Sequence, residues 1–222
     1  MKVEAQEKRG IKMAEKIWYQ GSIDDGLTLD DVKELGVDGI YFTHNLKDQD
    51  EVGRQARKLG LEVRDQDKLP FNQELTQVVL TELTTPAIPD VGFPEKIQKL
   101  LNTDEVNGLL NPSEEDQLLQ MQALALMTLL PGQLVIPANL INEKDSQNWR
   151  QIQKLITLRK AQNNLPSRIN ITENNLIELQ KDKLTGYFNT SSAALGFNSV
   201  SSWIQNYLVG QLLPKGVVIR EN

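Results

Sequence analysis

The sequence contains no cysteine, a single histidine (His44) and only 5% aromatic residues. Without cysteine there are no disulfides and no thiolate metal ligands, and nothing supports an oxidising compartment. One histidine cannot supply an imidazole cluster. Long apolar runs are also missing. The longest, around Leu118–Leu130, is interrupted by Gln120 and Gln122 and falls short of the roughly 20 apolar residues that cross a bilayer. The opening MKVEAQEKRGIKMAEK is charged throughout and does not read as a signal peptide. The expectation is a cytoplasmic protein with no membrane attachment. Basic residues are outnumbered, 24 against 30, for a net charge of −6. A phosphate backbone would be repelled, so nucleic acid is not an expected partner.

What is present is an ordinary globular balance over 222 residues, with 39% hydrophobic and 24% charged. Such a chain can bury a sizeable core without disulfide or metal staples. Lys16–Gln20 (KIWYQ) reads as a strand, Leu29–Leu35 as a helix stopped by Gly36, and Val37–Phe42 (VDGIYF) as a second strand. Asp50–Leu59 predicts a helix ending at Gly60, and Leu61–Val63 restarts extended chain. Strand and helix alternating through short connections is the pattern of βαβ units and a parallel sheet.

Further on, Asn72–Leu83 and Pro94–Leu101 predict helices around a proline-punctuated stretch. Ser113-Glu114-Glu115-Asp116 opens the clearest helix, with Ser113 as its cap. Its apolar residues, from Leu118 to Leu130, cover nearly the whole circumference, so it should be buried on most sides. Pro131-Gly132 ends it, Leu134–Pro137 reads as a buried strand, and Asp145–Asn163 is an amphipathic helix carrying Trp149. Beyond Pro166 the character changes. Ile169–Ile171, Leu176–Leu179, Leu184–Asn189, Ala194–Phe197, Trp203–Tyr207 and Val217–Arg220 are short strands between turn residues, as in a small antiparallel sandwich.

Several of these segments, in order, resemble pieces of the α-amylase-type glycoside hydrolases, especially the oligoglucosidase branch. Lys16–Leu46 is similar to that family's opening, where a V-Y-Q-I-Y-P strand leads through an acidic loop and helix to L-G-V-D-A-I-W-L. Leu59–Val63 (LGLEV) resembles the R-G-L-K-V lead into its third strand. Gln122–Pro137 resembles L-x-L-x-T-L-P-G-T-P-x-I-Y, the seventh helix and eighth strand. Asn148–Pro166, with LITLRK, resembles the last barrel helix. Lys183–Phe197 and Trp203–Arg220 resemble the C-terminal sandwich. The resemblance implies an α/β fold: an incomplete or reduced TIM-type βα barrel over residues 1–164, then a small C-terminal antiparallel β-sandwich over 165–222. The barrel is expected to be incomplete because a full one takes about 200 residues or more. Here about 165 precede the sandwich, room for some five units at roughly 30 residues each.

The family's chemistry requires a nucleophile and an acid/base carboxyl about 5 Å apart. Its nucleophile strand reads G-F-R-x-D, and the nearest match is Gly92-Phe93-Pro94-Glu95-Lys96, with proline for arginine and lysine for aspartate. Aligned instead to the fifth strand's V-G-E, Val91-Gly92-Phe93 puts phenylalanine where the acid belongs. The seventh-strand N-H-D falls near Leu109–Glu115, which keeps Asn111 but has Pro112 and Ser113 for the other two. In the third-strand motif D-x-x-x-x-N-H, Asp67 and Asn72 keep the spacing one residue late, and Gln73 replaces the histidine. The loop Asp24-Asp25-Gly26 is shorter than the family's metal-binding loop, so neither a metal nor any other cofactor is expected.

No catalytic residue is therefore assigned. Candidate sugar contacts are Trp18, Tyr19, Tyr41, His44, Asp67 and Asn72. The aromatics could stack on a sugar ring, or could be core; His44 could contact a ligand at a strand end, or be solvated there. Asp65 and Asp67 share a strand face and could be a catalytic pair of a new kind, although acid-rich turns are commoner. The resemblance points to a non-catalytic scaffold or regulatory subunit in α-glucoside metabolism. Its expected partner is a second copy or a full-length glucosidase; an α-glucoside ligand and residual α-glucosidase activity are the alternatives.

Overall fold

The computed structural model describes residues 15–21, 27–42, 49–65, 71–84, 90–101, 106–108, 116–141, 143–162, 167–172, 176–198, 201–208 and 210–222. Strand β1 (Ile17–Gln20) is buried along its whole length. Helix α1 (Leu29–Leu35) follows, started by a reciprocal box in which Asp31 N–H donates to Thr28 Oγ1 and Asp31 Oδ2 accepts from Thr28 N–H. Gly36, at φ 96°, ends it in the left-handed region that glycine enters without a Cβ clash. Strand β2 (Gly39–Phe42), helix α2 (Gln49–Lys58) and strand β3 (Glu62–Asp65) complete the first run.

Two helices come next, α3 (Gln73–Thr84) and α4 (Phe93–Leu100). Asn72 caps α3 by accepting from Leu75 N–H at 2.9 Å. A short strand β4 (Val106–Gly108) precedes α5 (Gln117–Thr128), strand β5 (Gln133–Pro137) and α6 (Gln147–Lys160). The described cap of α5 is Asp116, which accepts from Leu119 N–H; Ser113, the cap predicted from sequence, lies outside the described residues. As its all-round apolar pattern predicts, α5 is buried at every position from Gln120 to Thr128.

The five strands pair in parallel in the order β3-β2-β1-β5-β4. Among the described residues β3 pairs only with β2 and β4 only with β5, so the sheet is open at both edges and no closed barrel is formed. Strand β4 has no counterpart in the sequence reading: three residues, two of them asparagine and glycine, give no strand signal.

The second half is a six-stranded antiparallel assembly of β6 (Arg168–Ile171), β7 (Leu176–Lys181), β8 (Leu184–Asn189), β9 (Leu195–Gly196), β10 (Trp203–Leu208) and β11 (Gln211–Glu221). Its order is β10-β11-β8-β7-β6, with β9 pairing the start of β11. The β7–β8 hairpin turns at Asp182, whose φ of 51° suits the short polar side chain. In place of two separately paired layers, the described strands form one hydrogen-bonded sheet. A partial second layer comes from Leu195, Phe197, Tyr207 and Leu212, which pack on Leu176, Tyr187 and Val218.

Both sheets share one core. Side chains of β1, β2 and β5 lie in the same apolar cluster as Ile177, Leu179, Phe188, Trp203, Val217 and Ile219, with α5 between them. Trp203 on β10 also donates its indole N–H to the Gln151 carbonyl of α6 at 3.0 Å. Among the described residues no helix is long and apolar enough to cross a membrane.

Candidate functional site

In a parallel sheet, side chains alternate between faces and functional residues gather at the carboxyl ends of the strands. One face here carries Ile17, Tyr19, Ile40, Phe42, Leu134 and Ile136, all in the main core. The opposite face is packed separately. It carries Trp18, Tyr41 and Val135, packed with Phe71 into a separate cluster. Trp18 is fully buried, and its Nε1–H donates to Gln133 Oε1 at 2.7 Å. The Arg64 guanidinium lies 5.3 Å above its ring, within cation–π range. Tyr41 meets Phe71 edge-on at 5.3 Å. Gly39 completes the fit: a Cβ there would stand 2.4 Å from the indole. The glycine makes room for Trp18.

The structure thus brings Trp18 and Tyr41 together and sends Tyr19 to the opposite face, where it packs among Leu27, Val32 and Phe42. All three rings are buried, at 2% exposure or less. Asn72 holds backbone: besides capping α3, its Nδ2 donates to the Leu100 carbonyl at 2.7 Å and so ties α3 to α4. His44 and Asp67 lie outside the described residues, as do Asp24-Asp25-Gly26 and Leu109–Glu115. The Asp65–Asp67 pairing also depends on side chains outside them.

Gly92–Lys96 does not end a strand. Gly92 precedes α4, Phe93 is fully buried, and Lys96 pairs on the surface with Asp90. Asp90 Oδ1 also accepts from Gly92 N–H. The Lys96 ammonium, first of all, and this amide hold the Asp90 carboxyl below its ordinary value. Glu82 moves the other way, pushed up by burial although it accepts from Asp90 N–H. Among the described side chains the only carboxylate on the Trp18 face is Glu62, and it pairs with Lys16 at the amino end. No group of three or more potential metal ligands forms among the described residues.

Sequence reasoning missed a buried charged joint between the halves. Arg159, of the LITLRK segment, is buried and donates to the carbonyls of Met127, Thr128, Leu130 and Gly132 at the end of α5. Glu15 faces it at 3.5 Å and also accepts from the fully buried Lys181 of β7 at 2.9 Å. Burial pushes both cations below their ordinary values; the neighbouring Arg159 charge adds to this at Lys181, while Glu15 opposes it. Arg159, Lys16, Lys33 and Lys160 line a groove of about 730 Å³ at the sheet's amino end. There the carboxyl ends of α1, α2 and α6 converge, and cations complement their dipoles.

In architecture this chain is similar to glycoside hydrolases of the amylase type. Solved structures that it resembles are Ttha1563 from Thermus thermophilus (14% identity, TM-score 0.49, 87% of this chain and 61% of that one) and the cyclic alpha-maltosyl-(1→6)-maltose hydrolase of Arthrobacter globiformis (10%, 0.47, 87% and 58%). An alpha-amylase from Malbranchea cinnamomea is a third (13%, 0.41, 73% and 46%). The chain spans about three fifths of the first two of these. No protein-family model and no curated protein matches it.

Proposed function

We propose that this chain is a degenerate, non-catalytic relative of the α-amylase-type glycoside hydrolases, acting as a scaffold or regulatory subunit in α-glucoside metabolism. One observation carries the reading: the sheet face that would line the hydrolytic cleft is filled by its own residues. Trp18, Tyr41, Val135 and Phe71 pack there, and the described carboxylate on it is bound to lysine. A retaining hydrolase needs two carboxyl groups facing a sugar across an open space. The interior spacing supports the same conclusion. Between β3 and β4 lie residues 66–105, where α3 and α4 stand and no described residue is in a strand. At roughly 30 residues per βα unit there is room for about one, where the resemblance calls for three.

The reading divides the chain at 164/165 into a reduced barrel unit and an antiparallel unit. It places the protein in the cytoplasm with a second copy or a full-length glucosidase as partner. Calorimetric titration with maltose and isomaltose tests it against the alternative of a sugar-binding module. The scaffold reading predicts no heat beyond dilution; saturable heat that Tyr41→Ala abolishes in a folded variant would favour the module.

A further inference from the structure

The surface of this acidic chain is unevenly charged. From Leu184 to Pro214 there is no Asp, Glu, Lys or Arg, in a protein that is 24% charged overall. That stretch builds β8, β9, β10 and the start of β11, and within it β10 is the edge of the antiparallel sheet. Two of its side chains, Ile204 and Leu208, are 40% and 59% exposed. Leu118 stands beside them, 46% exposed, because the Gln205 side-chain amide donates to its carbonyl at 2.7 Å. These are three of the four large apolar side chains exposed among the described residues. The nearest ion pair, Lys215 with Asp116, is mutually neutral.

Edge strands of soluble proteins are ordinarily kept apart by lysines, prolines or bulges. Strand β10 has neither lysine nor proline. It does have a bulge at Asn206, φ 48°, between two paired runs, Trp203–Gln205 and Tyr207–Leu208, so the strand stays bonded to β11 on both sides of it. The Asn206 and Gln205 amides donate inward, to the carbonyls of Pro214 and Lys215. That fixes the strand to β11 on one side, and among the described residues no strand pairs with its other edge.

We propose that β10 is the surface through which two copies of this chain join, edge to edge and antiparallel about a two-fold axis. Charge selects the occupant. With a net charge of −6, two copies repel over most of their surface; here they meet without apposing like charges or burying an unpaired one. A strand edge is also self-complementary when turned antiparallel, which is what an isologous interface requires. The proposal does not depend on the absence of catalysis: turnover of a glucoside would overturn that reading and leave this surface standing.

Sedimentation equilibrium on the full chain, the Ile204→Lys/Leu208→Lys variant and Val91→Lys provides the test. Val91 is 84% exposed and lies on the separate turn before α4. The full chain should form a reversible dimer, weakened at least about tenfold by the double variant and unchanged by Val91→Lys. If the double variant fails to fold, hydrogen exchange of the native chain decides: β10 amides should gain protection as concentration rises. A monomer at every concentration, a dimer indifferent to the two lysines, or protection that grows elsewhere would overturn the proposal.

Discussion

The two sheets present opposite surfaces to solvent. Around the parallel sheet, charges are dense and paired: Lys16 with Glu62, Lys144 with Asp31 and Glu34, Lys160 with Asp38. Strands β9 and β10 of the antiparallel sheet carry none. Their interiors differ as well. The parallel sheet has both faces filled, one by helices and one by its own aromatic cluster, whereas the antiparallel sheet puts one face on α5 and half-covers the other. The contrast is informative about function. One face of the parallel sheet is closed by its own aromatic cluster, and the uncharged stretch of the antiparallel sheet carries exposed Ile204 and Leu208.

The joint between the halves should be the most sensitive point. Arg159→Met would leave carbonyls at the end of α5 without their donor and the Glu15 carboxylate with Lys181 as its remaining cation. Breaking a buried pair in this way costs about 3–5 kcal/mol, read as a fall in urea-unfolding free energy; a loss under about 1 kcal/mol would mean that the joint carries little stability. Within the parallel half, Gly39→Ala pushes a methyl into the Trp18 indole and should cost about 1–3 kcal/mol by overpacking. The matched substitution in the antiparallel half, Gly186→Ala, meets Leu129 at 2.5 Å and should cost a similar amount, since both sheets are close-packed against their neighbours. Asn72→Ala removes the cap of α3 and its tie to α4, at about 1–2 kcal/mol.

The smallest effect is set by pH. Hydrogen bonds from the Thr28 hydroxyl and then the Thr28 backbone N–H, aided by Lys144, lower Asp31 from 3.8 to about 2. A depressed carboxyl pKa contributes stability that is complete above the unfolded value and lost as pH falls through the folded one. The stability difference between the native chain and Asp31→Ala should therefore be constant above about pH 5 and shrink between about pH 4 and about pH 2. A difference that stays flat across that window would contradict this.

Much of the fold was legible in the sequence. Strands β1, β2 and β5 are short, largely apolar runs, β3 was marked by the extended restart after Gly60, and α5 announced its burial by being apolar on all sides. Strand β4 was not legible, because its place is fixed by pairing to β5 and not by its own residues. The antiparallel strands expected from sequence are joined into one hydrogen-bonded path because β11 is long enough to bond β10, β9 and β8 in turn. At the candidate site, the strand aromatics named from sequence divide between two faces: alternation separates Tyr19 from Trp18 and Tyr41. Gln133 and the carbonyls that Arg159 binds could not be foreseen: their partners lie 27 or more residues away in sequence, joined by tertiary packing.

Prolonged incubation of concentrated protein with nitrophenyl α-glucoside bears most directly on whether this sheet still hydrolyses glucosides. The account predicts no release of nitrophenol above the buffer rate. Release that grows with protein concentration and disappears in Asp67→Asn would contradict it.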